Sequence, residues 1–268
     1  MKDLLNEKIY ILWAAGIILC VALALFCVFF LAVRPADSAS PFTDSAQVAA
    51  DSEPALTGST VPDTEADCLL PETEDRGSLY QSRLVFAGDI TTYDLEYYYA
   101  ITDASRILVP DDGNLTLQNY TTAQINYADS GEYLTLPQAI AKKQPDILVL
   151  TLGRNDASLT ESAFKELYSA LLADVRASSP ATVILCQSVL PVEAFYPEVT
   201  NEDIDRVNAW IIEVCTQQGC YYLNTAEALK TTDGALSSDY SAGDGVQISA
   251  LGCSAVLSYI RSHAIPEA

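Results

Sequence analysis

The chain contains a single histidine, His263, among 268 residues. That scarcity excludes every metal site built on several imidazoles, including the His-Glu-x-x-His type. It also means that any Ser-His or Cys-His chemistry has only one candidate base. Basic residues are sparse as well, 14 Lys and Arg against 36 Asp and Glu, giving a net charge of −22. A nucleic-acid partner is excluded on this ground, because displacing phosphate counterions requires clustered Lys and Arg. No Cys-x-x-Cys pair occurs among the seven cysteines, so a thiolate zinc site is not indicated, and no cofactor-binding motif is present.

What the sequence does contain begins with Ile9–Val33, a run of 25 residues without a charge. At ~1.5 Å rise per residue it exceeds the ~30 Å hydrocarbon core of a bilayer. It is also longer than the ~7–15 apolar residues of a cleaved secretory signal. Phe30-Leu-Ala-Val-Arg34 is a poor cleavage site, and the residues before Cys20 and Cys27 lack the small side chains of a lipoprotein signal. The run reads as an uncleaved signal anchor. Lys2 and Lys8 precede it and Arg34 follows, which places residues 1–8 inside as a cytoplasmic tail.

Residues 34–80 then hold ten acids and five prolines among Ser, Thr and Ala, a composition that predicts a disordered acidic stalk. Residues 81–268, with 10 bases and 24 acids, form the globular part, predicted to lie outside the cell membrane on a single-pass anchor. Of the cysteines there, Cys186, Cys215 and Cys253 fall in apolar periodic segments and read as small hydrophobes. Cys215 and Cys220 are close enough in sequence to pair or to stay free.

Within the globular part, Leu84–Ala87, Asp146–Leu152, Thr182–Ser188 and Cys220–Asn224 are short apolar runs without alternation, as in strands buried on both faces. Helical periodicity separates them over 161–177 and 201–217, and again over 249–261. The pattern predicts an α/β fold with a parallel sheet covered on both sides. Ligands of such sheets bind beyond the carboxyl ends of the strands.

Those ends carry Gly88-Asp-Ile-Thr-Thr92, Gly153-Arg-Asn-Asp156, Ser188-Val-Leu-Pro191 and, before the last helix, Asp244-Gly-Val-Gln247. In order and spacing they resemble the SGNH (GDSL-type) esterase family, especially its membrane-anchored bacterial members, from about Leu84 to Ile260. The resemblance implies a three-layer α/β/α, flavodoxin-like fold, no cofactor and no metal. It also implies a Gly-Asp-Ser turn with the nucleophile, an oxyanion hole from a glycine N–H and the Gly-x-Asn asparagine, and an Asp-x-x-His acid–base pair.

Carried over residue by residue, Gly88 and Asp89 match, but Ile90 stands in the nucleophile position. Gly153 and Asn155 match, leaving one oxyanion donor. The second-block glycine falls within Asn119–Gln124, where none is found. Asp244 matches the orienting acid, but the base position is Gln247, an amide. Thr91 and Thr92 neighbour the nucleophile position, and His263 lies ~14 residues past the start of the last helix, ~20 Å away at helical rise. His263 therefore reads as a helix-terminal residue.

Arg154, Thr91 and Tyr93 are further candidate ligand contacts, Arg154 alternatively pairing with Asp156 or Asp244. Tyr93, Tyr97, Tyr98 and Tyr99 either line a pocket mouth or pack the first helix on the sheet. Asp111-Asp-Gly-Asn114 reads as a solvated turn. The leading expectation is a membrane-anchored SGNH-like domain that has lost ester chemistry and binds an acylated envelope glycan or a neighbouring membrane protein. The rivals are a hydrolase rewired through Thr91 or Thr92 with Asp89 or Asp244, and a purely structural ectodomain.

Overall fold

The computed structural model describes residues 65–266, so the 9–33 run and most of the expected stalk lie outside the described residues. Five strands form one parallel sheet: β1 (Leu84–Gly88), β2 (Ile107–Leu108), β5 (Ile147–Thr151), β6 (Val183–Gln187) and β7 (Tyr221–Leu223), in the order β2-β1-β5-β6-β7. The remaining two, β3 (Ile125–Tyr127) and β4 (Glu132–Leu134), make a separate antiparallel ribbon. The helices are α1 (Glu65–Cys68), α2 (Gly77–Ser82), α3 (Ile90–Tyr97), α4 (Leu136–Lys143), α5 (Glu161–Ser178), α6 (Asn201–Gln218) and α7 (Ala250–Arg261).

Each central strand sends alternate side chains to opposite cores. Val85, Ala87, Leu148, Leu150, Ile184 and Cys186 face α4, α5 and α6. Leu84, Phe86, Ile147, Val149 and Leu185 face α3 and α7. The unalternating apolar runs in the sequence have this cause: both faces of the sheet are covered, so neither set of positions tolerates polar groups. The four strands and three helices expected from periodicity are present, their bounds within two residues. The short β2, the ribbon and α4 are not legible in the apolar pattern. Helix α4 is nonetheless locally specified by a Thr135/Gln138 capping box with a proline in its first turn.

The folded part begins earlier than composition indicated. Residues 65–80, read above as stalk, pack onto the domain: Cys68 and Leu70 are buried, and Leu70 N–H donates to the Tyr222 carbonyl at 3.1 Å. Tyr80 is buried too, and Arg261 pairs with Asp75 at 3.0 Å. A few apolar side chains docking on a finished sheet edge outweigh an otherwise polar composition. Cys215 and Cys220 carry free thiols. They meet where Gly219, in the left-handed conformation, ends α6 and Cys220 N–H donates to the Cys215 carbonyl at 2.9 Å. Among the described residues no helix is long and apolar enough to cross a membrane.

Candidate functional site

The strand order reverses direction between β1 and β5, which makes the crevice at their carboxyl ends the natural ligand position of the fold. Gly88 ends β1 because nothing larger fits: a Cβ there would lie 2.2 Å from the Thr151 carbonyl oxygen of β5. Asp89 follows, buried, with its N–H donating to the Thr151 carbonyl at 3.1 Å. Its carboxylate caps α3 by accepting the Thr91 N–H at 3.0 Å. Burial pushes the Asp89 pKa up, opposed by the Arg154 guanidinium, which lies 3.9 Å away. Arg154 therefore pairs with Asp89, not with the Asp156 or Asp244 expected from sequence; the tight β1–β5 register brings the two strand-end turns together.

Ile90, in the nucleophile position by resemblance, is half-buried beneath a turn of the chain. The Pro110–Gly113 turn is closed by a Gly113 N–H to Pro110 carbonyl bond of 2.8 Å. Gly113 has φ +66, and a Cβ on it would meet Ile90 Cδ1 at 2.7 Å. Asp111, Asp112 and Asn114 are exposed, so the turn is solvated, with only the buried Gly113 backbone lying over Ile90. Thr91 and Thr92 are both buried. The contact of Thr91 with the Asp89 carboxylate is its backbone N–H, and Thr92 Oγ1 lies against Gly88.

At the base position, Gln247 Nε2 donates to Asp94 Oδ1 at 3.3 Å, and the adjacent Ile248 N–H donates to Asp94 Oδ2 at 3.0 Å. Asp244 does not orient the Gln247 side chain. Its carboxylate instead accepts the backbone N–H groups of Val246 and Gln247 at 2.9 and 2.8 Å, shaping the turn. Asp94 is the residue that sequence reasoning missed. It lies one helical turn after Ile90 on α3, a spacing that puts both on one face, and this was the available signal. Burial raises its pKa to about 7, helped by Asp244 and Asp89 and opposed by the Ile248 N–H and Arg154.

Gly153 enters a short 3-10 turn, Arg154–Asp156, after β5. Asn155 is exposed there and, with Arg154, Ser158, Tyr196 and Arg206, lines a cleft of about 470 Å³. Asp156 is buried and accepts the Leu117 N–H at 3.0 Å, fixing the segment that leads into the second block; burial raises its pKa. A second cleft, of about 540 Å³, lies on the other side of Tyr196 and reaches Asp244 and the exposed Phe195. His263 stacks on Tyr259 at 3.6 Å beyond the C-terminal end of α7, while Gln247 precedes that helix. The structure thus gathers Gly88, Asp89, Ile90, Arg154, Asp94 and Gln247. It leaves Asn155 on the cleft and Tyr93 on the far side of α3, by the β2 edge.

The family model for the GDSL-like lipase/acylhydrolase family matches residues 105–253, more than half of the chain. The chain belongs to the GDSL-like lipase/acylhydrolase family. The match takes in Gly153, Asn155, Asp244 and Gln247 but begins after the Gly88–Thr92 turn. No curated protein matches the sequence significantly.

Among solved structures, one provisionally designated a platelet activating factor from Streptococcus pneumoniae is similar at 18% identity and TM-score 0.50, covering 69% of this chain and 91% of that one. A provisionally designated acylhydrolase from Bacteroides fragilis is similar at 14% identity and TM-score 0.50, covering 71% and 88%. A GDSL-like lipase from Bacteroides thetaiotaomicron is similar at 17% identity and TM-score 0.48, covering 66% and 86%. At these identities the likeness to solved structures is one of fold.

Proposed function

We propose that this GDSL-family domain has lost ester-hydrolysing chemistry and acts as a binding or scaffold domain, held outside the cell membrane by the 9–33 span. The observation that carries the reading is the pairing at the two reactive positions. Ile90 offers no nucleophilic atom and packs under Gly113, while Gln247 offers an amide bonded to Asp94. Removing the serine or histidine of a serine hydrolase costs on the order of 10⁶ in kcat, and here both are replaced. Thr91 is a poor substitute, since it lies one residue past the nucleophile position and is buried.

An acylated envelope glycan or a neighbouring membrane protein is the partner proposed for the clefts on either side of Tyr196. Hydrolysis of p-nitrophenyl acetate by the purified full-length chain tests the loss of chemistry. No turnover above buffer is expected. Turnover that Asn155→Ala or Thr91→Val abolishes would overturn the reading in favour of a rewired hydrolase.

A further inference from the structure

A third cleft, of about 370 Å³, lies between α3 and the β3–β4 region. That volume falls in the range of small-ligand sites. Tyr93, Glu96 and Tyr97 line one side, Asp111 and Asn126 the other, and Val109 the base. The tyrosine rings are braced: Tyr97 stacks on Tyr93 at 5.8 Å and meets Tyr98 edge-on at 5.0 Å. Tyr97 is nevertheless 58% exposed, so a fixed aromatic surface faces solvent with little rotamer freedom left to lose on binding.

Tyrosine is also concentrated around this cleft. Tyr133 is strongly exposed, and its hydroxyl donates to Asp111 at 3.4 Å. Tyr93 and Tyr98 pack in part against the core beside Leu95, whereas Tyr97 leaves its ring in solvent.

The polar lining fixes the kind of ligand. Two carboxylates, Glu96 and Asp111, line the cleft, and no basic side chain does. An anionic ligand is disfavoured there, and a cation is attracted both by the carboxylates and by the negative faces of the rings. Asn126 adds both donor and acceptor, which suits hydroxyl groups better than a bare alkylammonium.

We propose that this cleft binds a glycan through a protonated amino-sugar ring, the ring lying on the tyrosine surface and its ammonium pairing with the Asp111 and Glu96 carboxylates. The site is distinct from the clefts beside Tyr196 and adjoins the Ile90 region only through the outer wall of the Pro110–Gly113 turn. It stands whether or not ester chemistry survives, so ester turnover would overturn the preceding section and leave this inference intact.

Isothermal titration of the full-length protein in detergent micelles tests it, with fully deacetylated glucosamine tetramer as the probe. Binding is expected, at least tenfold weaker with the N-acetylated tetramer and with tetralysine. Tyr97→Ala, Asp111→Asn and Glu96→Gln, all at exposed positions, should each weaken it at least tenfold with unchanged circular dichroism. Equal binding of the acetylated tetramer would show that the amine is not read, and equal binding of tetralysine would reduce the effect to the acidity of the surface. Either result, no binding at all, or indifference to the three substitutions overturns the proposal.

Discussion

At the scale of single residues, the contact between Gly113 and Ile90 decides how the crevice is closed. Gly113→Ala combines a positive φ with a methyl 2.7 Å from Ile90 Cδ1. The expected cost is about 1–3 kcal/mol, read as a lower urea midpoint. Ile90→Ala removes the clashing atom, so the double variant should recover part of that loss, and strict additivity would show that the two residues do not touch.

Asp94 supplies a pH dependence. Its folded pKa of about 7 exceeds the ordinary carboxylate value, so between about pH 4 and pH 7 the folded protein holds a proton that the unfolded chain has released. Stability from this group is therefore present at low pH and is lost as pH rises through 7, each tenfold difference in proton affinity between the folded and unfolded chain being worth about 1.4 kcal/mol. Asp94→Asn should flatten the slope of unfolding free energy against pH in that window; an unchanged slope would assign it elsewhere, Asp89 and Asp156 being the next candidates. The residue types at 90 and 247 were plain in the sequence. Their partners were not, because Gly113 and Asp94 reach them from 23 and 153 positions away.

At the scale of elements, the sheet and its long helices were legible because their signals are local and repetitive. Helix α6 illustrates this: Ile204, Val207, Ile211, Val214 and Cys215 are buried at helical spacing, and Thr200 with Asp203 forms its capping box. Thr200→Ala should cost about 1 kcal/mol, checked by thermal or urea unfolding. The β3–β4 ribbon escaped notice because three-residue strands carry too little pattern to separate from loop. The segment 65–80 escaped for a different reason. Its composition is that of a stalk, and it is held by docking: the Thr73 N–H on the Ser262 carbonyl, Asp75 on Arg261, and Cys68 and Tyr80 in the cores. A domain trimmed to begin at residue 64 should keep the stability of the longer chain, while one beginning at residue 83 should lose several kcal/mol by forfeiting those buried side chains. Equal melting of the two truncations would show that the docking is not energetically significant.

At the scale of the whole molecule, charge and the proposed anchor make separate predictions. Residues 81–268 carry 14 more acids than bases, which repels polyanions at a distance and leaves cations and neutral glycans free to approach. Deleting residues 9–33 should release the chain from the membrane fraction into the soluble fraction. Persistence in the membrane fraction would remove the anchor from the proposal. The acidic surface and the amino-sugar cleft have the same sign preference, so added salt should weaken the glucosamine titration.

Taken alone, the sequence determined the α/β class, the positions of four strands, the family, and the residue types, Ile90 and Gln247, that stand where the resemblance expects a serine and a histidine. Each of these is written in residue type and local spacing. Only the tertiary structure decided what surrounds those residues: a glycine turn over Ile90, a buried carboxyl bonded to Gln247, and Arg154 turned toward Asp89. It also decided where the domain begins and that braced tyrosines meet two carboxylates in one cleft. These are contacts between segments far apart in the chain, and the energy that selects them comes from burial and pairing that exist only once the sheet has brought its strand ends together.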